Sequence, residues 1–223
     1  FSAALALGDI AAAAVNELPE ATPEGMKLVK QTRSRVVWAM PGATLESYTK
    51  VALVDCFVAF KKNWERDYNR SVALNRRVRT EDMERIRKNL AGEFREVFTE
   101  VMTEAGHDVV DRTGPDVLII RPAIINLDPT APDLKSASFE RVIVQSAGSM
   151  TLFMELYDSE TNAIIARVMD AQTDNHGYAR EANRMTNRAE ADRILKRWAE
   201  ELEEHRGNAR DVVNAAAEQA GTE

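Results

Sequence analysis

The stretch from Ala147 to Ala171 constrains this chain more than any other. Two alternating apolar runs flank a polar cluster, Asp158 to Asn162. Period-two alternation on both sides of an Asp-, Ser- and Asn-rich turn predicts a β-hairpin. Met150, Leu152, Met154 and Leu156 share one face, and Thr151, Phe153, Glu155 and Tyr157 share the other. With three loop residues, Glu160 to Asn162, Ser159 faces Ala163 and Glu155 faces Arg167. Glu155 and Arg167 are then expected as a register-fixing ion pair rather than a substrate contact.

The flanking chain supplies further strands and two amphipathic helices. Arg35 to Met40 is a brief strand candidate stopped by Pro41-Gly42. Tyr48 to Phe60 is apolar on both faces and predicts a central strand. Val117 to Leu127 is another long strand, and Pro122 inside it predicts an edge position or a bulge. His107 to Asp111 is a short strand, and Phe139 to Gln145 leads into the hairpin. From Thr80 to Ala105, Met83, Ile86, Leu90, Phe94, Val97, Val101 and Ala105 form one helical stripe. Thr80 is the expected N-cap, and Gly106 the expected left-handed terminator. His176 to Ala182 reads as irregular. A last helix starts at Asn187, with Glu190 completing a capping box and Ile194, Leu195, Trp198, Ala199 and Leu202 buried.

The expected fold class is α+β. It is a two-layer sandwich with a mixed, mostly antiparallel sheet of about five strands covered by two amphipathic helices. Residues 1–14 read as a remnant of a secretory signal, small and apolar and ending in four alanines. Residues 15–34 read as an extended leader, 35–205 as the domain, and 206–223 as a polar, Ala-rich tail. No apolar run is long enough for a transmembrane helix.

Most chemistry finds no foothold. Three scattered histidines and one cysteine give no zinc-ligand spacing. There is no phosphate loop or dinucleotide fingerprint, so no cofactor is expected. A net charge of −7 argues against a general nucleic-acid binder. Cys56, between Val54 and Phe57 and their apolar neighbours, is expected to be buried and inert. Asp170, Asp174 and His176 are the one group that could converge for acid–base hydrolysis.

Lys61 to Arg79 departs from the acidic background. It holds seven basic residues against two acidic, a local net of +5. Lys61, Lys62, Arg66, Arg70, Arg76 and Arg77, with Trp64 and Tyr68 interleaved, could take an anionic ligand or polymer. The competing reading is a solvated connection whose aromatics pack on the domain.

Several stretches together resemble a known family. They are Met40-Pro41-Gly42-Ala43 before Tyr48-Thr49-Lys50-Val51, Gly114-Pro115-Asp116-Val117-Leu118, and Ala131-Pro132-Asp133. Ser146 to Leu152, Glu155-Leu156-Tyr157-Asp158, Arg167 to Asp170, and Trp198-Ala199 complete the set. The chain resembles the bacterial domain-of-unknown-function family DUF3313, largely secreted lipoproteins, over about Arg33 to Leu202. The resemblance implies the cell envelope and a sheet-plus-helices domain, and it offers no established catalytic residues to carry over; another envelope protein is the expected partner. A lipoprotein needs a cysteine just after its signal, and Cys56 lies within a strand candidate. A periplasmic or outer-membrane-associated protein without its own lipid anchor is therefore expected.

Overall fold

The structure is a computed structural model that describes residues 18–129, 142–144, 148–173, 180–182 and 191–205. The β8–β9 hairpin, Gly148–Asp158 and Ile164–Thr173, lies at the centre of the sheet. Its arms pair antiparallel from Ser149↔Thr173 to Leu156↔Ala166. The register then shifts by one residue, so that Tyr157 meets Ile164 and Asp158 donates its N–H to the Ala163 carbonyl. The loop is thus one residue longer than the three expected. A bulge absorbs the difference and keeps Glu155 opposite Arg167.

Among the described residues, eight strands form one sheet in the order β1-β2-β9-β8-β6-β3-β5, with β4 also paired to β6. This is larger than the five or so strands expected: the leader adds an edge strand and the Tyr48–Phe60 run makes two strands, while the expected His107–Asp111 strand is present. Lys27–Gln31, read as leader, is β1, a short edge strand against β2, Arg35–Ala39. Its polar residues are those of an exposed edge. The Tyr48–Phe60 run is split into β3, Lys50–Leu53, and β4, Phe57–Phe60. Both lie parallel to β6, Val117–Pro129, end to end along the same side. β5, Asp108–Val109, pairs parallel with β3. A separate two-stranded sheet joins β7, Val142–Val144, to β10, Arg180–Ala182, part of a segment that reads as irregular.

The split strand explains Pro122. β6 carries the expected bulge, between Ile125 and Asp128, where Asn126 has φ 53°, but Pro122 itself lies outside it and away from the sheet edge. Ile120 accepts a bond from the Val54 N–H, so Pro122, two residues on, faces the same side. That side is the gap between β3 and β4, where no ladder bond needs a proline N–H. At the far end of β6, Gly148 comes close to the backbone of Asp128. A Cβ there would lie 3.0 Å from the Asp128 carbonyl oxygen.

Two helices cover one face of the sheet. Helix α2, Thr80–Glu104, buries Leu90, Phe94, Val97, Phe98, Val101 and Met102. Its cap lies one residue earlier than expected: Arg79 is the N-cap, and its N–H donates to Asp82. Gly106 turns left-handed at φ 89°, and the His107 N–H returns to the Met102 carbonyl. Helix α3, described over 191–205, buries Ile194, Leu195, Trp198, Ala199 and Leu202 in the same core. The expected capping pair Asn187 and Glu190 lies outside the described residues. Helix α1, Trp64–Ser71, joins β4 to α2 with a 3-10 turn, Leu74–Arg76.

Candidate functional site

Strand alternation sorts the sheet into two faces. Leu152, Leu156, Ile120 and Ile124 point toward the helices. Phe153, Glu155, Tyr157, Arg121, Arg167 and Trp38 point the other way, since Arg121, Glu155, Arg167 and Trp38 are consecutive cross-strand partners. No helix among the described residues covers this second face. A hairpin of the leader crosses part of it. Trp38 donates its indole N–H to the Pro19 carbonyl at 3.2 Å, Met26 is fully buried, and Glu24 reaches Arg167 at 3.1 Å.

Glu155 is the hub of the remainder. Arg167 donates Nε and Nη2 to its Oε1 at 2.9 and 2.7 Å, and the Tyr157 hydroxyl donates to its Oε2 at 2.7 Å. Burial and the neighbouring carboxylate push the Tyr157 hydroxyl above its usual range. The Arg167 guanidinium also lies 5.8 Å from the Phe153 ring. Beside this closed group stands Arg121, 61% exposed and 3.9 Å from Glu155. Its guanidinium borders the Tyr157 hydroxyl and Glu155 and is otherwise open to solvent in the middle of the sheet, amid half-buried Ile119, Ala123 and Phe153. That combination suits a partner with an acidic group and an apolar surround. Sequence reasoning passed over Arg121, although it is the one charged residue between Val117 and Leu127.

The opposite face holds a second polar cluster. Asp170 is fully buried and accepts from Arg35 Nε at 3.1 Å, Trp198 Nε1 at 3.0 Å and Gln172 Nε2 at 2.8 Å. Arg35 Nη2 also bonds Asp170 and Glu201. These contacts tie α3 to β2 and β9 and engage both Asp170 oxygens. Asp170 is thus a structural carboxylate beneath a helix, while Asp174 and His176 lie outside the described residues. At the far end of α3, His107 Nε2 meets Glu203 at 3.0 Å.

The basic stretch divides. Trp64 is 6% exposed and stacks on Phe60 at 4.7 Å and Tyr68 at 5.2 Å, so it packs a small second core with Val78 and Met83. Lys61 bonds Asp128, and Arg66 bonds Asp67. Arg76 is half-buried near Tyr68. Trp64 and Tyr68 thus pack inward, while Lys62, Arg70 and Arg77 stand at the surface.

Cys56 is half-buried in the gap between β3 and β4, less enclosed than expected, and its neighbour Phe57 is 62% exposed. Among the described residues no group of three His, Cys, Asp or Glu is placed to hold a metal ion. Nor is any helix there long and apolar enough to cross a membrane.

Comparison with known proteins gives one decisive match. A family model described as "Protein of unknown function (DUF3313)" matches residues 25–202. The chain belongs to that family. DUF3313 thus takes in the whole sheet, from the leader hairpin to Leu202 of α3. No curated protein matches. Among solved structures, this DUF3313 chain is similar to a PelC dodecamer from Paraburkholderia phytofirmans, at 11% identity and a TM-score of 0.36, covering 73% of this chain and 94% of that one. It is similar to a minor lipoprotein from Acinetobacter baumannii at 10% identity and a TM-score of 0.33, covering 71% and 95%. A neuraminyllactose-binding hemagglutinin homolog from Helicobacter pylori gives 11% identity and a TM-score of 0.41, covering 78% and 92%.

Proposed function

We propose that this DUF3313 protein works in the bacterial cell envelope by binding or assembly rather than by catalysis. The observation that carries binding is Arg121, exposed at the centre of an eight-stranded sheet whose other face is sealed by two helices. A central strand is ordinarily covered on both faces when its residues are apolar. Here the neighbouring Phe153, Ala123 and Ile119 keep only partial cover. The envelope location rests on the small apolar run of residues 1–14, ending Ala11-Ala12-Ala13-Ala14. Against catalysis stands Asp170, whose oxygens are already engaged in holding α3.

Two experiments test this reading. Cells expressing the full gene are fractionated, and the protein is expected with the periplasm or outer membrane; recovery from the cytoplasm with residues 1–14 retained contradicts the location. Tagged wild type and Arg121→Glu are then compared for co-purifying envelope proteins. Loss of a discrete partner from the variant alone is expected, and identical partners from both overturn the role of this face.

A further inference from the structure

Residues 69–78 form a closed loop with an apolar tip. The Asn69 side chain clasps Val78 at both ends: its Oδ1 accepts the Val78 N–H at 2.7 Å, and its Nδ2 donates to the Val78 carbonyl at 3.0 Å. Val78 is buried with Trp64 and Met83, so the clasp is fixed to the small second core. Within the loop, the Ser71 hydroxyl donates to the Tyr68 carbonyl, and the Arg76 and Arg77 N–H groups return to Ala73 and Leu74. The backbone of the loop is therefore held from several points.

At its tip stands Leu74, 79% exposed. A single exposed leucine is ordinary on a protein surface. This one differs in its setting. It caps an internally bonded loop, between exposed Ala73 and Asn75. The clasp brings the two stems together, and each stem carries an exposed arginine next to it, Arg70 and Arg77. Neither arginine has an ion-pair partner among the described residues. The surrounding stretch, Lys61 to Arg79, has a net of +5 in a chain whose total is −7. A rigid apolar tip flanked by cations is complementary to an interface with an anionic outer layer and an apolar interior.

We propose that this loop is a membrane-docking element, inserting Leu74 into the interface of an anionic lipid bilayer while Arg70 and Arg77 meet its headgroups. The proposal rests on the envelope reading only for where such a bilayer is met; lipid binding itself is measured with purified protein. Failure in vitro leaves the location standing, and a cytoplasmic location leaves the lipid contact standing.

The test is co-sedimentation with vesicles of equimolar phosphatidylglycerol and phosphatidylethanolamine, against vesicles of phosphatidylcholine alone. Wild type is expected to bind the anionic vesicles, to bind them less as salt is raised, and to leave the neutral ones unbound. Leu74→Ser is expected to weaken binding about tenfold, the scale of withdrawing one leucine from an apolar phase. Arg70→Gln with Arg77→Gln is expected to weaken it by about fivefold per charge. An unchanged thermal midpoint shows that each variant is folded. The Leu74→Trp variant is expected to keep binding, with an emission shift to the blue on vesicles beyond that of wild type. Absence of binding by wild type overturns the proposal. So does binding indifferent to Leu74→Ser, including the case where DNA or heparin is bound as well as the vesicles, which assigns the loop to polyanions instead.

Discussion

Arg167 grips Glu155 across the central hairpin through two donors, 2.9 and 2.7 Å from the same carboxylate oxygen, while its Nη2 also reaches Glu24. The two residues are not equivalent. Glu155 is the more deeply buried, and without Arg167 it keeps Tyr157 and only a distant Arg121. Arg167 without Glu155 still has Glu24. Arg167→Ala is therefore expected to cost about 2–3 kcal/mol, and Glu155→Ala about 1 kcal/mol less. A double-mutant cycle in urea should give a coupling of about 1 kcal/mol. Equal single-mutant losses with no coupling would show that the pair does not hold the hairpin.

The second prediction concerns Asp170. Removing its carboxylate leaves the buried Trp198 N–H without an acceptor and Arg35 with Glu201 alone. Asp170→Ala is expected to destabilise the fold by about 3–5 kcal/mol, read from the denaturation midpoint with Trp198 fluorescence following α3. A loss below about 1 kcal/mol would mean that α3 is held by its apolar face and not by this cluster.

Acid sensitivity should come in part from Asp158. The Thr161 backbone N–H, the Thr161 hydroxyl and the Tyr48 hydroxyl bond its carboxylate and hold it at about 2, below the ordinary 3.8. A depressed folded value means stability fully present above the unfolded value and lost as the pH falls toward the folded one. Wild type is thus expected to lose stability between about pH 4 and pH 2, and Asp158→Asn to lose less across that window. Parallel stability profiles for the two proteins would remove Asp158 from this role.

Cys56 gives a fourth prediction. Burial pushes its thiol up to about 12, which leaves little thiolate at neutral pH. Alkylation of the native protein is expected to be at least about a hundredfold slower than that of the urea-unfolded chain. Similar rates would place the thiol in solvent.

The hairpin was legible because an apolar residue stands at every second position from Met150 to Leu156, with a polar turn and a second apolar arm after it. Helix α2 was legible because its apolar stripe recurs over several turns. What escaped did so for physical reasons. The Tyr48–Phe60 run is mostly apolar, and a single charge, Asp55, lies where the strand breaks between Leu53 and Phe57, with Val54 and Phe57 facing solvent; one acidic residue in such a run is a weak mark. Pro122 carried the missing information, because the proline lacks the ladder donor that an intact neighbouring strand would need. β1 is polar and short, as an edge strand is, and so resembled a leader. On the candidate surface, Arg121 was visible as a charge inside an apolar strand, but its exposure depends on which face the helices cover. The aromatics of the basic stretch were equally ambiguous until Trp64 was placed beneath Phe60, Tyr68, Val78 and Met83.

That the sheet face left open by the described helices binds a partner in the envelope can be read by crosslinking in living cells. A photo-reactive amino acid is placed at Ile119, half-buried beside Arg121 on the same face, and, in a separate strain, at Lys30 on the exposed edge strand β1. Discrete crosslinked species are expected from position 119, formed in the envelope fraction and absent from position 30. No crosslink from 119, or the same products from both positions, would overturn the binding role of this face.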